Sequence, residues 1–287
     1  MRRRRIAAGS LLTVPLVILA MAGPSSAVTS LARGGHGHRP KPRPVVRCLG
    51  LKATIVVTAS SPHLVRGTGR RDVVAVLVGG HVVDAGAGND VICGSAGADV
   101  LRGGLGDDLI VSGGGADTVT GGAGRDRIDA GAGADHVDGG AGSDLVLGGA
   151  GNDTETGATG DDVLRGGPGN DVLDGGAGDD ELYGEAGEDR EHGGAGDDVV
   201  EGGAGDDWLY GDDGDDSLDG NAGVDLEDGG QGADDCVADD ADEVVSDPDD
   251  PSDDGSEDGS DDGSDDGTDD GTDDGSGGGP APAQLAG

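Results

Sequence analysis

The sequence predicts an all-β solenoid built from very short repeats. Residues 85–237 divide into seventeen blocks of nine without insertion or deletion, and in every block the fourth residue is Gly and the sixth is Asp. The eighth residue is apolar in fourteen blocks. A nine-residue unit cannot bury its one apolar side chain alone, so successive blocks have to stack. With one Trp, two Tyr and no Phe among 287 residues, the chain lacks the material for an ordinary globular core.

Each block has the pattern of a Gly-rich polar turn followed by a short strand. Three successive blocks are GGAGDDVVE (193–201), GGAGDDWLY (202–210) and GDDGDDSLD (211–219). We predict that the first six positions form the turn and that the last three form a strand with the eighth side chain inside. Glycine suits such a turn because it accepts positive φ and lets backbones approach closely.

The charge of the chain is large, negative and unevenly distributed. The net charge is −41, with +11 on residues 1–84, −33 on residues 85–237 and −19 on residues 238–287. Nucleic acid and anionic membrane surfaces are therefore excluded as electrostatic partners, whereas cations are attracted. The last of these segments is rich in Asp, Gly and Ser, and we predict that it is a disordered acidic tail.

The aspartates at the sixth position are the candidate metal ligands. Stacking brings these carboxylates close together, which is repulsive unless a cation lies between them. Carboxylate and turn carbonyl oxygens suit Ca²⁺ better than Mg²⁺, which keeps its waters, and no His or Cys recurs to bind Zn²⁺ or copper. The predicted ligands are Asp90, Asp99, Asp108, Asp117, Asp126, Asp135, Asp144, Asp153, Asp162, Asp171, Asp180, Asp189, Asp198, Asp207, Asp216, Asp225 and Asp234.

The blocks resemble the RTX nonapeptide, GGxGxDxUx, of hemolysin-type calcium-binding proteins. The resemblance implies a parallel β-roll in which two nonapeptides make one turn and alternate strands form two facing sheets. It also implies that several Ca²⁺ ions lie between the turns, bound by the sixth-position aspartates and by carbonyl groups of the Gly-rich segment. Because one apolar residue per block stabilises the fold only weakly, we expect the roll to form when Ca²⁺ binds.

Residues 47–84 are predicted to be a degenerate N-terminal cap of the roll. The runs RCLGLKATIV and RGTGRRDVV are similar to the front end of secreted actinobacterial proteins of the hemolysin type. Asp72 is in register with Asp90, but Arg70 replaces the fourth-position Gly and His81 replaces the next Asp. The cap is thus expected to continue the strands without binding Ca²⁺.

Three blocks carry Glu at the eighth position, namely Glu155, Glu191 and Glu227. They are 36 residues apart, which is two turns of 18 in the implied roll, so all three fall on one sheet. A carboxylate in a thin core is costly and is expected to take up a proton or to bend outward to water. We expect a weaker C-terminal half on that sheet and irregular metal sites in these blocks. Their sixth-position residues are Asp153, Asp189 and Asp225.

The start of the chain has the pattern of an export signal. Arg2–Arg5 precede mostly apolar residues, and small residues end at Ala27, where we predict that a signal peptide, residues 1–27, is cut. An uncleaved membrane anchor is the alternative, although the apolar stretch is short for a membrane span. We expect a secreted, extracellular protein that does not insert into a membrane after cleavage, with residues 28–46 as a flexible linker.

Export permits disulfides, and three cysteines allow three single pairings. Cys48 with Cys93 is the favoured pair because it joins the cap to the first block. Cys236 lies in the last block, at the other end of a solenoid, and is expected to act as a small apolar core residue.

No catalytic or organic cofactor-binding residues are predicted. Paired acids recur with the repeat and do not mark a glycosidase pair, and the Gly-rich turns lack the Lys and Ser/Thr of a phosphate loop. The expected function is a non-catalytic, structural or adhesive Ca²⁺-binding β-roll whose cell-surface or matrix partner is unknown. One alternative is a largely disordered acidic polymer that buffers or nucleates calcium salts, and another is a segment that accompanies an enzyme on a partner chain.

Overall fold

The structure is a computed structural model that describes residues 45–237 and 243–245. All regular elements in these residues are β-strands, which form two parallel sheets of eleven strands and one hairpin. The prediction of an all-β, two-sheet parallel roll is confirmed. In the described ranges there is no helix with the length and apolar character needed to cross a bilayer. The predicted signal peptide, nearly all of the predicted linker and most of the predicted tail lie outside the described residues.

Consecutive strands alternate between the two sheets. The hairpin contains β1 (Arg47–Cys48) and β2 (Leu51–Lys52). The first sheet contains β3 (Ile55–Val57), β5 (Val73–Val76), β7 (Val91–Cys93), β9 (Leu109–Val111), β11 (Arg127–Ala132), β13 (Leu145–Ala150), β15 (Val163–Pro168), β17 (Glu181–Ala186), β19 (Val199–Ala204), β21 (Ser217–Ala222) and β23 (Asp235–Val237). The second sheet contains β4 (Leu64–Arg66), β6 (Val82–Ala87), β8 (Val100–Leu105), β10 (Thr118–Ala123), β12 (His136–Ala141), β14 (Thr154–Thr159), β16 (Val172–Ala177), β18 (Arg190–Ala195), β20 (Trp208–Asp213), β22 (Leu226–Asp228) and β24 (Glu243–Val245).

Two blocks make one turn of the solenoid. Ile128 in β11 pairs with Ile110 in β9 and with Val146 in β13, so stacked residues are 18 positions apart. At the C-terminal end, Leu226 in β22 pairs with Glu243 in β24. The strand β24 lies within the segment predicted to be tail, so the paired strands continue beyond residue 237.

The strands are longer than predicted. In the middle of the solenoid they span six residues, from the seventh position of one block to the third position of the next, as in Arg127–Ala132. The predicted three-residue strand is too short because the first and second residues of stacked blocks keep the same register, with Gly131 opposite Gly149. The turn is therefore confined to the fourth to sixth positions.

The core is a narrow layer of eighth-position side chains from both sheets. Ile92, Leu164 and Leu218 are 0% exposed, and the same column continues at the C-terminal end with Cys236. Cys236 carries no disulfide and packs against this core, as the sequence predicts.

Glycine is needed at the fourth position because the turns stack backbone on backbone. Gly151 has a φ of +149°, and a Cβ there would overlap the carbonyl oxygen of Gly133 in the preceding turn. A residue with a side chain would meet both left-handed strain and a steric clash. Most fourth-position glycines meet this double requirement, whereas Gly214 and Gly223 meet the clash alone and Gly97 meets neither.

The hairpin β1–β2 covers the outer face of the first sheet at its N-terminal end. Cys48, Val73, Ala75 and Val91 form a second, smaller buried cluster there. A disulfide joins Cys48 to Cys93, with their Cα atoms 5.7 Å apart. This is the pairing that the sequence favours, and it fastens the cap to the first nonapeptide block.

Candidate metal centre

The sixth-position aspartates point into the solenoid. Positions six and eight and the first position of the next block alternate on the inner side, and Asp126, Ile128 and Ala130 are 0%, 2% and 0% exposed. The predicted ligands before the last block are all buried, and Asp234 in the last block is half-buried. The structure therefore brings the predicted site residues together in two rows, one from alternate blocks along each edge.

One oxygen of each carboxylate except that of Asp99 is fixed by the preceding turn. The backbone N–H of Asp126 donates to Oδ1 of Asp144, and the N–H of Asp144 donates to Oδ1 of Asp162, both at 2.7 Å. Equivalent bonds of 2.6–2.9 Å link aspartates 18 residues apart along both rows. Such charge-assisted bonds orient the carboxylate and thereby its second oxygen.

The second oxygen, Oδ2, is buried in most blocks and has no hydrogen-bond partner within the described residues. These aspartates include Asp90, Asp108, Asp126, Asp135, Asp144, Asp153, Asp162, Asp171, Asp180, Asp189, Asp198, Asp207 and Asp216. A buried carboxylate oxygen that has neither a donor nor a cation destabilises the fold, because its hydration is lost without replacement.

Most of these oxygens face a backbone carbonyl across the space beside a first-position Gly. A Cβ on Gly121 would lie 2.5 Å from Asp126 Oδ2 and 2.5 Å from the carbonyl oxygen of Gly139. At Gly175 the corresponding distances are 2.5 Å and 2.6 Å. A carbonyl oxygen accepts hydrogen bonds and donates none, so the two oxygens need a proton, a cation or a donor such as water between them. Carboxylate and carbonyl oxygens are the donor set that Ca²⁺ uses in proteins.

Burial raises the pKa of most aspartates in these rows. Loss of hydration is the largest cause, the amide hydrogen bond from the preceding turn opposes it, and neighbouring acidic groups raise the pKa further. The pKa rises to about 7 for Asp126, Asp162, Asp171 and Asp198, and to about 6 for Asp108, Asp135, Asp180, Asp207 and Asp216. Without a cation, the folded turns therefore retain protons close to neutral pH.

Two aspartates at the N-terminal end have their Oδ2 atoms satisfied by a Ser or Thr two positions into the block, whereas Oδ1 of Asp99 has no partner within the described residues. Oδ2 of Asp72 accepts hydrogen bonds from the backbone N–H and Oγ1 of Thr68 at 2.7 and 2.9 Å. Oδ2 of Asp99 accepts equivalent bonds from Ser95 at 2.9 and 2.8 Å. These contacts agree with a cap that binds no metal, and they set Asp99 apart from the other predicted ligands. A Ser or Thr at the second position is the sequence signal of this arrangement.

The first position of the block also contributes to the site. The sequence pointed only to carbonyl groups of the Gly-rich segment as a whole. It is Gly in fourteen blocks, and the exceptions are Ala85, Ser112 and Ala130. The Ser112 hydroxyl donates to the carbonyl oxygen of Ala130, so it occupies an oxygen that faces a carboxylate in other turns. The high frequency of Gly at this position is the signal that identifies it.

The three eighth-position glutamates lie inside the roll. Glu155, Glu191 and Glu227 are all 0% exposed, so the expectation that they bend outward is wrong. Strand alternation holds this position inward, and an outward turn would break the register of the ladder. Burial raises the pKa of Glu155 and Glu191 well above the ordinary value, and the charges of Asp171 and Asp207, respectively, raise it further.

Side chains alone do not make a metal site in this fold. Among residues 45–237 and 243–245, no three His, Cys, Asp or Glu side chains come together in a group suited to a metal ion. A cation in these turns therefore needs backbone carbonyl oxygens such as that of Gly139, beside the carboxylates. Ca²⁺ accepts such a mixed set of oxygens, whereas Mg²⁺ tends to keep its waters.

The stacked turns, with buried carboxylates opposite carbonyl oxygens, define a β-roll of the calcium-binding class. The RTX calcium-binding nonapeptide repeat matches the chain in four consecutive copies, at residues 84–119, 120–155, 156–191 and 192–227. These copies cover 144 of the 287 residues, and the chain belongs to this family. The match confirms the resemblance that the nonapeptides show in the sequence. A search of curated proteins finds no match.

Proposed function

We propose that this chain is an extracellular, non-catalytic protein that binds several Ca²⁺ ions between the turns of its β-roll. One observation carries the proposal: buried carboxylate oxygens without a hydrogen-bond donor, such as Asp126 Oδ2, face backbone carbonyl oxygens of the next turn. Membership of the RTX family supports Ca²⁺ as the cation. The residues that would hold the ions are the sixth-position aspartates and the first-position residues that offer carbonyl oxygens.

Folding of the roll is proposed to depend on these ions. The repeat carries a charge of −33, and its core receives one side chain per nine residues. Bound Ca²⁺ would neutralise much of this charge and satisfy the buried oxygens, while the unfolded chain offers no preformed site. Binding free energy then becomes folding free energy. The metal-free chain at neutral pH is expected to have little β-structure.

The proposed location and domain plan depend on the sequence together with one structural feature. The Cys48–Cys93 disulfide is of a kind that persists in oxidising compartments, which supports export. The assignments of a signal peptide (1–27), a linker (28–46), a cap (47–84), the calcium-binding roll (85–237) and an acidic tail (238–287) are proposals. The structural or adhesive role is proposed because a repetitive roll presents the same kinds of outward side chain at regular spacing.

Circular dichroism of the mature chain during a Ca²⁺ titration tests the proposal, with equilibrium dialysis to count the bound ions. We expect a cooperative gain of β signal and the uptake of several ions, and a much weaker response to Mg²⁺. A featureless spectrum with bound Ca²⁺ would instead support the disordered calcium-storing polymer. An enzyme that co-purifies with the chain from culture medium would support the accessory role.

A further inference from the structure

Two of the buried glutamates lack a well-formed hydrogen bond at either carboxylate oxygen within the described residues. Both oxygens of Glu155 and both oxygens of Glu191 are buried and make no hydrogen bond of normal geometry, although the backbone amides of Gly148 and Gly184, respectively, lie close enough to lower the pKa of each carboxyl group. The two residues lie on the second sheet, separated by Leu173, which pairs with each of them in the parallel ladder. An ordinary core residue at this position is apolar, so these carboxylates need a physical reason to be inside.

The carboxylate of Glu191 converges with two other oxygens beside Gly184. A Cβ on Gly184 would lie 2.6 Å from Asp189 Oδ2, 2.6 Å from the Gly202 carbonyl oxygen and 2.7 Å from Glu191 Oε1. No two of these oxygens are therefore farther apart than twice 2.7 Å. Two carboxylates and a carbonyl within that span repel each other unless a positive charge lies between them.

The same arrangement recurs 36 residues earlier. Beside Gly148, Glu155 Oε1 converges with Asp153 Oδ2 and with the Gly166 carbonyl oxygen, the last two lying 2.8 and 2.9 Å from the position of a Cβ. Because each feature of the first site has its counterpart here, the convergence belongs to the Asp-x-Glu sequence at positions six to eight. It is not the product of one local distortion.

The third glutamate follows the same register, in a slightly different setting. The backbone N–H of Gly220 donates to Oε1 of Glu227 at 2.7 Å, and a Cβ on Gly220 would lie 2.5 Å from Asp225 Oδ2. This glutamate therefore also turns toward the first-position Gly and the aspartate of its own block.

We propose that Glu155 and Glu191 are Ca²⁺ ligands, each adding a second carboxylate to a site formed with Asp153 or Asp189 and with the Gly166 or Gly202 carbonyl. This inference rests on the proposed function, since it assumes that Ca²⁺ enters these turns. Affinity for Ca²⁺ increases with the number of charged ligands. Alternate turns on one edge then carry sites of higher affinity, which fill first and order the C-terminal half of the roll at lower Ca²⁺ than the rest.

This proposal reverses the expectation that the glutamates weaken the C-terminal half. A buried Glu destabilises the metal-free fold, but it stabilises the loaded fold once a cation occupies the space it shares with the aspartate. If the glutamates weaken the roll, a proton neutralises each buried carboxylate. If they bind metal as proposed, Ca²⁺ neutralises it.

Calorimetric Ca²⁺ titration of the full chain tests the proposal with the variants Glu191→Gln and Glu155→Gln. The control is Glu181→Gln, the same substitution at an exposed seventh-position residue on the first sheet. We expect each core variant to lose one of the tightest sites, with its affinity reduced at least about tenfold, and the control to titrate like the wild type. Unchanged tight sites in both core variants would overturn the proposal.

Infrared spectroscopy of the unmodified protein gives a second test that does not depend on the folding of a variant. If the glutamates bind Ca²⁺, the absorption of protonated carboxyl groups disappears when the protein is loaded at neutral pH. A protonated band that survives loading, and that is lost in a triple Glu155→Gln, Glu191→Gln, Glu227→Gln variant, would show that protons neutralise these residues and refute the proposal. If no Ca²⁺ binds to any form, the proposed function itself fails.

Discussion

The backbone N–H of Asp162 donates to Oδ1 of Asp180 at 2.7 Å, so the backbone of one turn holds the carboxylate of the next. The bond leaves Oδ2 of Asp180 directed at the carbonyl oxygen of Gly193, beside the Cα of Gly175. Stacking of the turns and construction of the cation site are thus the same event. Neither is complete in a single block.

Removal of one carboxylate charge from a row is expected to weaken the loaded fold. Asp180→Asn keeps an oxygen that accepts the Asp162 N–H but removes the charge, and we expect the free energy of unfolding with Ca²⁺ to fall by about 1–3 kcal/mol. Chemical denaturation at saturating Ca²⁺ measures the change. The matched control is Asp179→Asn, an exposed neighbour that accepts the Asp197 N–H at 3.2 Å. Equal losses in both variants would contradict a buried cation site at Asp180.

Acidification is expected to stabilise the metal-free roll in part, because protons neutralise carboxylates that Ca²⁺ would otherwise neutralise. An aspartate whose pKa is higher in the folded chain stabilises the fold below its ordinary pKa of 3.8, and this contribution is lost as pH rises through the folded value, about 7 for Asp126. In the presence of a chelator, β-structure should therefore be greatest near about pH 4 and decline up to about pH 7. Circular dichroism as a function of pH measures the β-structure content, with the Ca²⁺-loaded protein as control. A metal-free β signal that increases with pH would contradict the raised pKa values.

Relief of left-handed strain is expected to stabilise the roll. Ala158 occupies a second position with a φ of 81°, where most blocks have Gly. We expect Ala158→Gly to raise the free energy of unfolding of the loaded protein by about 0.5–1 kcal/mol, since the strain removed exceeds the entropy that Gly adds to the unfolded chain. The control Ala141→Gly, at a third position without positive φ, should lower it by about 0.5–1 kcal/mol. Thermal unfolding compares the two, and a loss in both would refute the strain argument.

The disulfide is expected to stabilise the N-terminal end selectively. Cys48→Ser opens a covalent loop between residues 45 positions apart, and we expect the cap to lose about 2–4 kcal/mol. Hydrogen exchange of the loaded protein should show faster exchange in β3, β5 and β7 than in the wild type, with β17 unchanged. Non-reducing peptide mapping should find Cys236 without a disulfide. Uniform deprotection along the whole solenoid would contradict a local role for the bond.

The periodic part of the fold was predictable because each block repeats one local rule. Gly at the fourth position and Asp at the sixth mark the turn, and an apolar eighth residue such as Ile128 marks the inward side of the strand. The pairing of Cys48 with Cys93 followed from their places at one end of the solenoid. The strand length did not follow, because Gly at the first two positions has low strand preference by itself, and only the stacked register extends the ladder across it.

The aspartates of the site were predictable from the sequence, but the partners of their individual oxygen atoms were not. Ser95 and Thr68 satisfy Oδ2 of Asp99 and Asp72, respectively, because a second-position hydroxyl lies within reach of the carboxylate in the folded turn. The direction of Glu191 was open as well, since the cost of burying a carboxylate favours either a proton or an outward bend when its neighbours are unknown.

The nonapeptide pattern by itself determined the all-β solenoid, its calcium-binding family and the identity of the acidic residues in the turns. Periodicity is sufficient for these features because every block obeys the same local preferences. The tertiary structure decided which carboxylate oxygen is held by the next turn, which faces a carbonyl, and that Glu155 and Glu191 lie beside Asp153 and Asp189. Those relationships join residues 18 positions apart or across a turn, and they exist only once the blocks are stacked.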